Sequence, residues 1–346
     1  TSRTVPPPPP STSLPESSHD NSYLLTHASS ISTPVNNHRT TTSTSSSTTH
    51  NKSQSNRTTV RGSRTNPTRT TTRTATTTTV PIRNIHNHKK QFSIQVYVNN
   101  DIVSREILQR KSWEDEKINA FQNYFVQYSN EHNIPLSQLT FVDIGANVGW
   151  FTLSMAAFGV NVIAFEPMDE NIRLIEQSLA LEDNVRNGIS DRITLFKHGL
   201  GVKDQTCYVY SHNINVGDGH VKCLDGVDQK NEDDHGSTSS SSSMELELQN
   251  MIPRDYSVRG KIPIRRLDNV IQTYKNEKDS DLKVVCVKMD TEGYEGNVLE
   301  GGKEFLLNSG VDVIITEFFP QWITEKGGDP VAFMSSMKDA GYRIVE

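Results

Sequence analysis

Acidic residues are nearly absent from the first ninety positions of this chain. Glu16 and Asp20 stand alone there against eleven Lys and Arg. Apolar residues are scarce in the same stretch, which is built of Ser, Thr, Pro and Asn in runs such as PPPPP and TRTTTRTATTTT. Such a composition cannot bury enough surface to offset the entropy of ordering, so residues 1–88 read as a disordered tail. Its basic residues are scattered and form no tight cluster, which fits a solvated linker better than an anion-binding arm. The rest of the chain is acidic, with 24 bases against 39 acids. That balance repels phosphate and argues against a nucleic-acid substrate.

Cysteine is scarce too. Cys207, Cys223 and Cys286 are too few and wrongly spaced for a zinc site or a disulfide framework. Cys286 lies inside an apolar run and reads as core, while Cys207 and Cys223 could pair in an oxidising compartment. No run reaches the roughly 20 apolar residues that span a bilayer. The chain opens on Thr1, so an anchor or signal upstream is the expectation, with a Ser/Thr/Pro stalk after it and sequons at Asn51 and Asn56. An Arg-rich, acid-poor tail also fits an organelle transit segment. The secretory lumen or an organelle is expected over plain cytoplasm.

Against these absences stands FVDIGANVGWFTLSMAAFGVNVIAFEP, from Phe141 to Pro167. An apolar run ends in Asp143, the turn Gly145 to Gly149 follows, then an apolar helix pattern and a second run closed by Glu166. This is a strand–turn–helix–strand unit that binds a nucleoside. Its glycines let backbone approach a ligand, and the carboxylate after the second strand can take both ribose hydroxyls. A dinucleotide fingerprint needs glycine where Asn147 and Trp150 stand, so a pyrophosphate is disfavoured. Asp143 ahead of the turn suits a ligand with a cationic amino-acid end, namely S-adenosylmethionine. The cofactor-binding set is Asp143, Gly145, Asn147, Gly149 and Glu166. His198, after the third strand, is placed to meet adenine.

VVCVKMDTEGYEGNVLE, from Val284, repeats the plan, and so does VDVIITE, from Val311 to Glu317. Ligands of open α/β sheets sit at the carboxyl ends of strands. Asp143, Glu166, Asp290 and Glu317 should therefore share one rim. Asp290, Glu292 and Glu317 are the candidate catalytic bases, since crowded carboxylates raise one another's pKa. As hard oxygen donors the same three suit Mg²⁺, although no metal ligand set is assigned. His220, in a glycine loop, could border the acceptor. Lys288 stands in the strand before Asp290 without obvious partners. No Asn-Pro-Pro-Tyr-like box follows that strand, which sets aside methylation of a base amino group.

FVDIGANVGWFT, AFEP, IPIRRLDNVI, VKMDTEGYEGNVLEGG and ITEFFP, in this order, resemble the FkbM family of S-adenosylmethionine-dependent methyltransferases, from about Ser112 to Glu346. The resemblance implies a class I methyltransferase fold: a Rossmann-like α/β three-layer sandwich with a mainly parallel sheet of seven strands, the last antiparallel. It also implies methylation of a hydroxyl on a sugar, glycan or other small-molecule acceptor. The same cofactor residues would equally serve a non-catalytic S-adenosylmethionine-binding interaction module.

The domain is expected over 89–346, with a strand from Gln91, a helix capped by Ser112, and a mobile low-complexity insertion at about 226–252. The chain stops one strand after Tyr342, so the last strand of the sheet is expected to be truncated.

Overall fold

The computed structural model describes residues 22–27, 76–81, 91–224, 246–278 and 282–345. Its centre is a seven-stranded sheet. Five strands lie parallel: β4 (Leu139–Ile144), β5 (Asn161–Phe165), β6 (Ile193–Phe196), β11 (Lys283–Met289) and β12 (Val313–Glu317). All six residues of β4 are buried, as a strand covered on both faces requires. α3 (Trp150–Phe158), between β4 and β5, is buried at every position, which explains why its sequence is apolar all round rather than along a stripe. α4 (Asp169–Leu179) instead buries one face through Ile172, Leu174 and Ile175.

The order across the sheet corrects one expectation. It runs β13–β1–β12–β11–β4–β5–β6, where β13 is Tyr342–Val345 and β1 is Ser22–His27. β1 lies between β12 and β13 and is antiparallel to both. The antiparallel position expected to be truncated is therefore filled, by a segment assigned above to the disordered tail. SYLLTH carries Leu25 into the core at 2% exposure, and Tyr23 packs edge-on against Phe318. A second tail segment, β2 (Thr76–Pro81), pairs antiparallel with β3 (Gln91–Val96). The remaining tail residues lie outside the described ones.

A helix not anticipated from the sequence, α1 (Ile102–Arg110), follows β3. Its N-cap is Asp101, whose carboxylate accepts from Ser104 N at 2.7 Å. α2 (Asp115–His132) starts after Glu114 rather than at a Ser112 cap, and buries Ile118, Phe121, Phe125 and Tyr128 as their spacing predicts. Beyond α5 (Glu182–Arg186) and β6, a second, four-stranded sheet has the order β7–β10–β8–β9, from β7 (Gly199–Leu200), β8 (Gln205–His212), β9 (Asn215–Lys222) and β10 (Tyr256–Arg265).

One further correction lies beside this sheet. Residues 246–251, expected within the mobile insertion, form helix α6, and Leu248 with Ile252 packs on Tyr208. Residues 225–245 lie outside the described ones. Cys207 on β8 and Cys223 after β9 form a disulfide, while Cys286 is free and buried in β11 as expected.

α7 (Leu267–Lys278), α8 (Glu295–Gly301), α9 (Pro320–Glu325) and α10 (Pro330–Asp339) complete the chain. Among the described residues no helix is long and apolar enough to cross a membrane.

Candidate active site

The glycine turn grows directly out of β4. Gly145 has φ +80°, and a Cβ there would stand 1.8 Å from the backbone oxygen of Asp290, so no other residue fits. Gly145 N and Ala146 N donate to Phe165 O on β5, which ties the turn to the neighbouring strand. Asn147 adopts φ +52° inside the turn. Its Oδ1, and Nε1 of the nearby Trp150, are buried without a hydrogen-bond partner among the described residues. Such orphaned groups beside a turn are what a polar ligand would satisfy.

Under the turn lies an ion cluster. Asp143 is fully buried; its Oδ2 accepts from Thr152 Oγ1 at 2.6 Å, and Lys288 Nζ stands 3.7 Å from its Oδ1. Lys288 donates to Gly145 O at 2.9 Å and meets Asp290 Oδ2 at 3.2 Å. Sheet register sets this up, because Lys288 lies opposite Asp143 in the β4–β11 ladder. Two readings from sequence are thereby corrected. Lys288 has partners, and Asp143, expected at the cofactor, is fully buried and meets Lys288 and Thr152 instead. Burial alone would lower the Lys288 pKa, yet the Asp290, Asp143 and Glu114 carboxylates outweigh it and hold the ammonium charged. Burial pushes the Asp143 carboxyl up, with Lys288 pulling against that shift.

Above this pair Asp290, Glu292 and Glu317 converge as predicted, with one carboxylate oxygen of each within 4.8 Å of the others. They line a cavity of about 170 Å³ together with Asn147, Trp150 and Lys288. Glu292 is held in the left-handed region at φ +54°. Gly293 follows at φ +89°, where a Cβ would meet Trp322 Cβ at 2.6 Å. Burial, and then Asp218, push the Glu292 carboxyl well up. Burial, and then Asp290, raise Glu317 to about 9. Behind them Glu295 takes hydrogen bonds from Thr291 N and Oγ1.

Asp218, which the sequence reading missed, lines the same cavity. With His220 and Glu292 it makes a second group of potential metal donors, sharing Glu292 with the first. The signal was there: Asp218 and His220 stand two apart on one strand and so share a face.

Glu166 sits apart from these carboxylates in the hydrogen-bond network. It accepts from Asn147 N at 2.8 Å, Met168 N at 2.9 Å and Asn171 Nδ2 at 3.3 Å. Three donors leave a carboxylate one lone-pair direction, enough for a ribose hydroxyl. Burial raises its pKa to about 7, against the pull of those donors. An apolar hollow beside Gly145 is formed by Phe165, Pro167, His198, Ile264 and Tyr294. His198 packs against Phe165 and Phe196, and burial lowers its pKa, so its ring presents a neutral wall.

Parallel strands in this order, an antiparallel strand next to the outermost, and a glycine turn after the central β4 define a class I, Rossmann-like methyltransferase fold. The family model for the methyltransferase FkbM domain matches residues 143–344, more than half of the chain. The chain belongs to the FkbM methyltransferase family, and its cofactor is S-adenosylmethionine.

Among solved structures the chain is similar to the methyltransferase FkbM of Methylobacillus flagellatus KT, at 16% identity and TM-score 0.33. That match covers 57% of this chain and 37% of that one. It is also similar to a SAM-dependent methyltransferase from Agrobacterium tumefaciens, at 14% identity and TM-score 0.20, covering 35% and 32%. The chain thus spans about a third of the length of each of these proteins. No curated protein matches it.

Proposed function

We propose that this protein methylates a hydroxyl group on a sugar or glycosylated small molecule, with Asp290 as the base. The convergence of Asp290, Glu292 and Glu317 on one cavity wall, next to the Gly145–Gly149 turn, carries this reading. The bound cofactor supplies an electrophilic methyl group on a sulfonium. Glu166 holds one ribose hydroxyl, and the hollow at Phe165 and His198 takes the adenine. Asn147 and Trp150 offer their unpaired polar atoms to the amino-acid end.

Methyl transfer to oxygen needs alignment and a place for the proton. Asp290 provides the second. Its side chain is 30% exposed to the cavity and is anchored from below by Lys288. With the sulfonium supplying the methyl group, Asp290 would take the proton that the acceptor hydroxyl gives up.

Incubation with isotopically labelled S-adenosylmethionine and a pooled glycan and metabolite extract, followed by mass spectrometry, tests the activity. Labelled methyl on a hydroxyl supports it. Tight cofactor binding with no release of S-adenosylhomocysteine on any acceptor would favour a binding module instead. Asp290→Asn should lower turnover by roughly 10²- to 10⁴-fold while cofactor affinity holds, the pattern of an interaction made in the transition state. Glu166→Ala should weaken cofactor binding by about 1–3 kcal/mol in calorimetry.

The Cys207–Cys223 disulfide supports residence in an oxidising compartment such as the secretory lumen. Peptide mass mapping of the native protein without reductant checks this: an alkylatable Cys223 would count against it.

A further inference from the structure

Asp218 and His220 leave the same face of β9, two residues apart. Glu292 arrives at that face from the other sheet, on the left-handed turn after β11. One donor atom of each lies within 4.8 Å of the other two. His220 Nε2 stands 3.9 Å from Asp218 Oδ2. That separation is too long for a hydrogen bond, and the two side chains would close by roughly 1 Å to become adjacent ligands of one ion at about 2.0–2.2 Å.

Three observations point to a cation. Asp218 Oδ1 is buried with no donor reaching it among the described residues, Oδ2 accepts from Asn215 Nδ2 at 3.1 Å, and the Asp218 and Glu292 carboxyls lie in contact, an acceptor pair that a cation would bridge. The imidazole is oriented in advance: it stacks on Tyr210 and meets the edges of Tyr256 and Trp322. The cations beside these groups are already engaged, Lys288 by Asp143, Gly145 O and Asp290, and Lys326 by Tyr210 Oη and Val221 O.

We propose that Asp218, His220 and Glu292 bind one divalent metal ion whose open positions face the cavity. Two carboxylates with one imidazole suit a hard ion that tolerates a nitrogen ligand, Mn²⁺ first and Mg²⁺ second. The donor set differs from the three carboxylates considered from sequence, because it includes a histidine and leaves Asp290 free. Binding of the ion rests on neither the cofactor nor the acceptor. If the hydroxyl-methylation reading holds, the ion polarises the acceptor oxygen and eases loss of its proton to Asp290.

The test is a titration of the full chain with Mn²⁺, without cofactor or acceptor, with free Mn²⁺ read by electron paramagnetic resonance. One saturable equivalent is expected, displaced by Mg²⁺. The bound ion should show the nitrogen coupling of a single imidazole in electron spin-echo spectra, a reading that needs no variant. His220→Gln and Asp218→Asn should each weaken binding by about tenfold or more, with thermal unfolding confirming that they fold. Glu317→Gln should bind like the unaltered protein. Absence of saturable binding up to roughly 1 mM, the weak end for oxygen-rich sites, would overturn the proposal. So would a bound ion that lacks nitrogen coupling and is lost in Glu317→Gln, which would place it on the three carboxylates. Neither result bears on methyl transfer, which the labelling experiment decides separately.

Discussion

Lys288 is the residue on which the site's electrostatics turn. It is 6% exposed and joins the buried Asp143 to the cavity-facing Asp290. Removing one member of a buried pair strands the other charge, at a cost of about 3–5 kcal/mol. Lys288→Met should therefore destabilise the fold by that order in urea denaturation. The double variant Lys288→Met with Asp143→Leu should lose less than the two single variants added together, since neither charge is left behind. Two carboxyls give a pH dependence. Burial raises both Glu166 and Glu295 to about 7 from an ordinary 4.5. The folded state thus binds their protons more tightly than the unfolded chain. Their contribution is complete below about 4.5 and is lost as pH rises through 7, on the order of 3 kcal/mol for each. Stability measured by denaturation should fall from about pH 5, and Glu317, raised to about 9, carries the fall on to that pH. Glu295→Gln, which cannot lose a proton, should flatten that slope.

Among the elements, the strand–turn–helix–strand unit from β4 to β5 was legible because its signals are local. Valine- and isoleucine-rich runs, a glycine turn and an apolar helix all fall within one short window. The carboxylates at strand ends were legible for the same reason, and Asp290, Glu292 and Glu317 do meet. Lys288 was not, because its partners come from the facing strand and only the register brings them opposite. The ends of the disulfide share that dependence on pairing. Cys207 and Cys223 become neighbours because β8 and β9 run antiparallel, in a hairpin whose alternation is broken by glycines. The disulfide closes a loop with a sequence separation of 16. Loop closure of that size is worth about 3 kcal/mol, so mild reduction or Cys223→Ser should lower unfolding stability by that amount. Unchanged denaturation curves with and without reductant would show the link to be energetically idle.

At the scale of the molecule, β1 joins parts of the chain that the sequence keeps furthest apart. Ser22 pairs with Glu317 and His27 with Tyr342. A six-residue strand in a Ser/Thr-rich stretch carries no local sign of a partner so distant, which is why composition alone assigned it to the tail. Deleting residues 1–30 should leave β12 and β13 with bare edges, lower the melting temperature and promote aggregation. Deleting residues 1–18, which spares β1, is the matching control. Equal melting temperatures for the intact chain and the 1–30 deletion would show β1 to be dispensable. The placement of β1 also bears on how the protein is made. A ribosome delivers this strand ahead of the other strands of its sheet and its two neighbours after them, so the segment must wait while the rest of the sheet is made before its slot exists. Closing so long a loop is slow. During that wait the slot stands open to the same segment of another copy, and crowded refolding should yield exchanged dimers. Dilution, or β1 peptide added in trans, should suppress them.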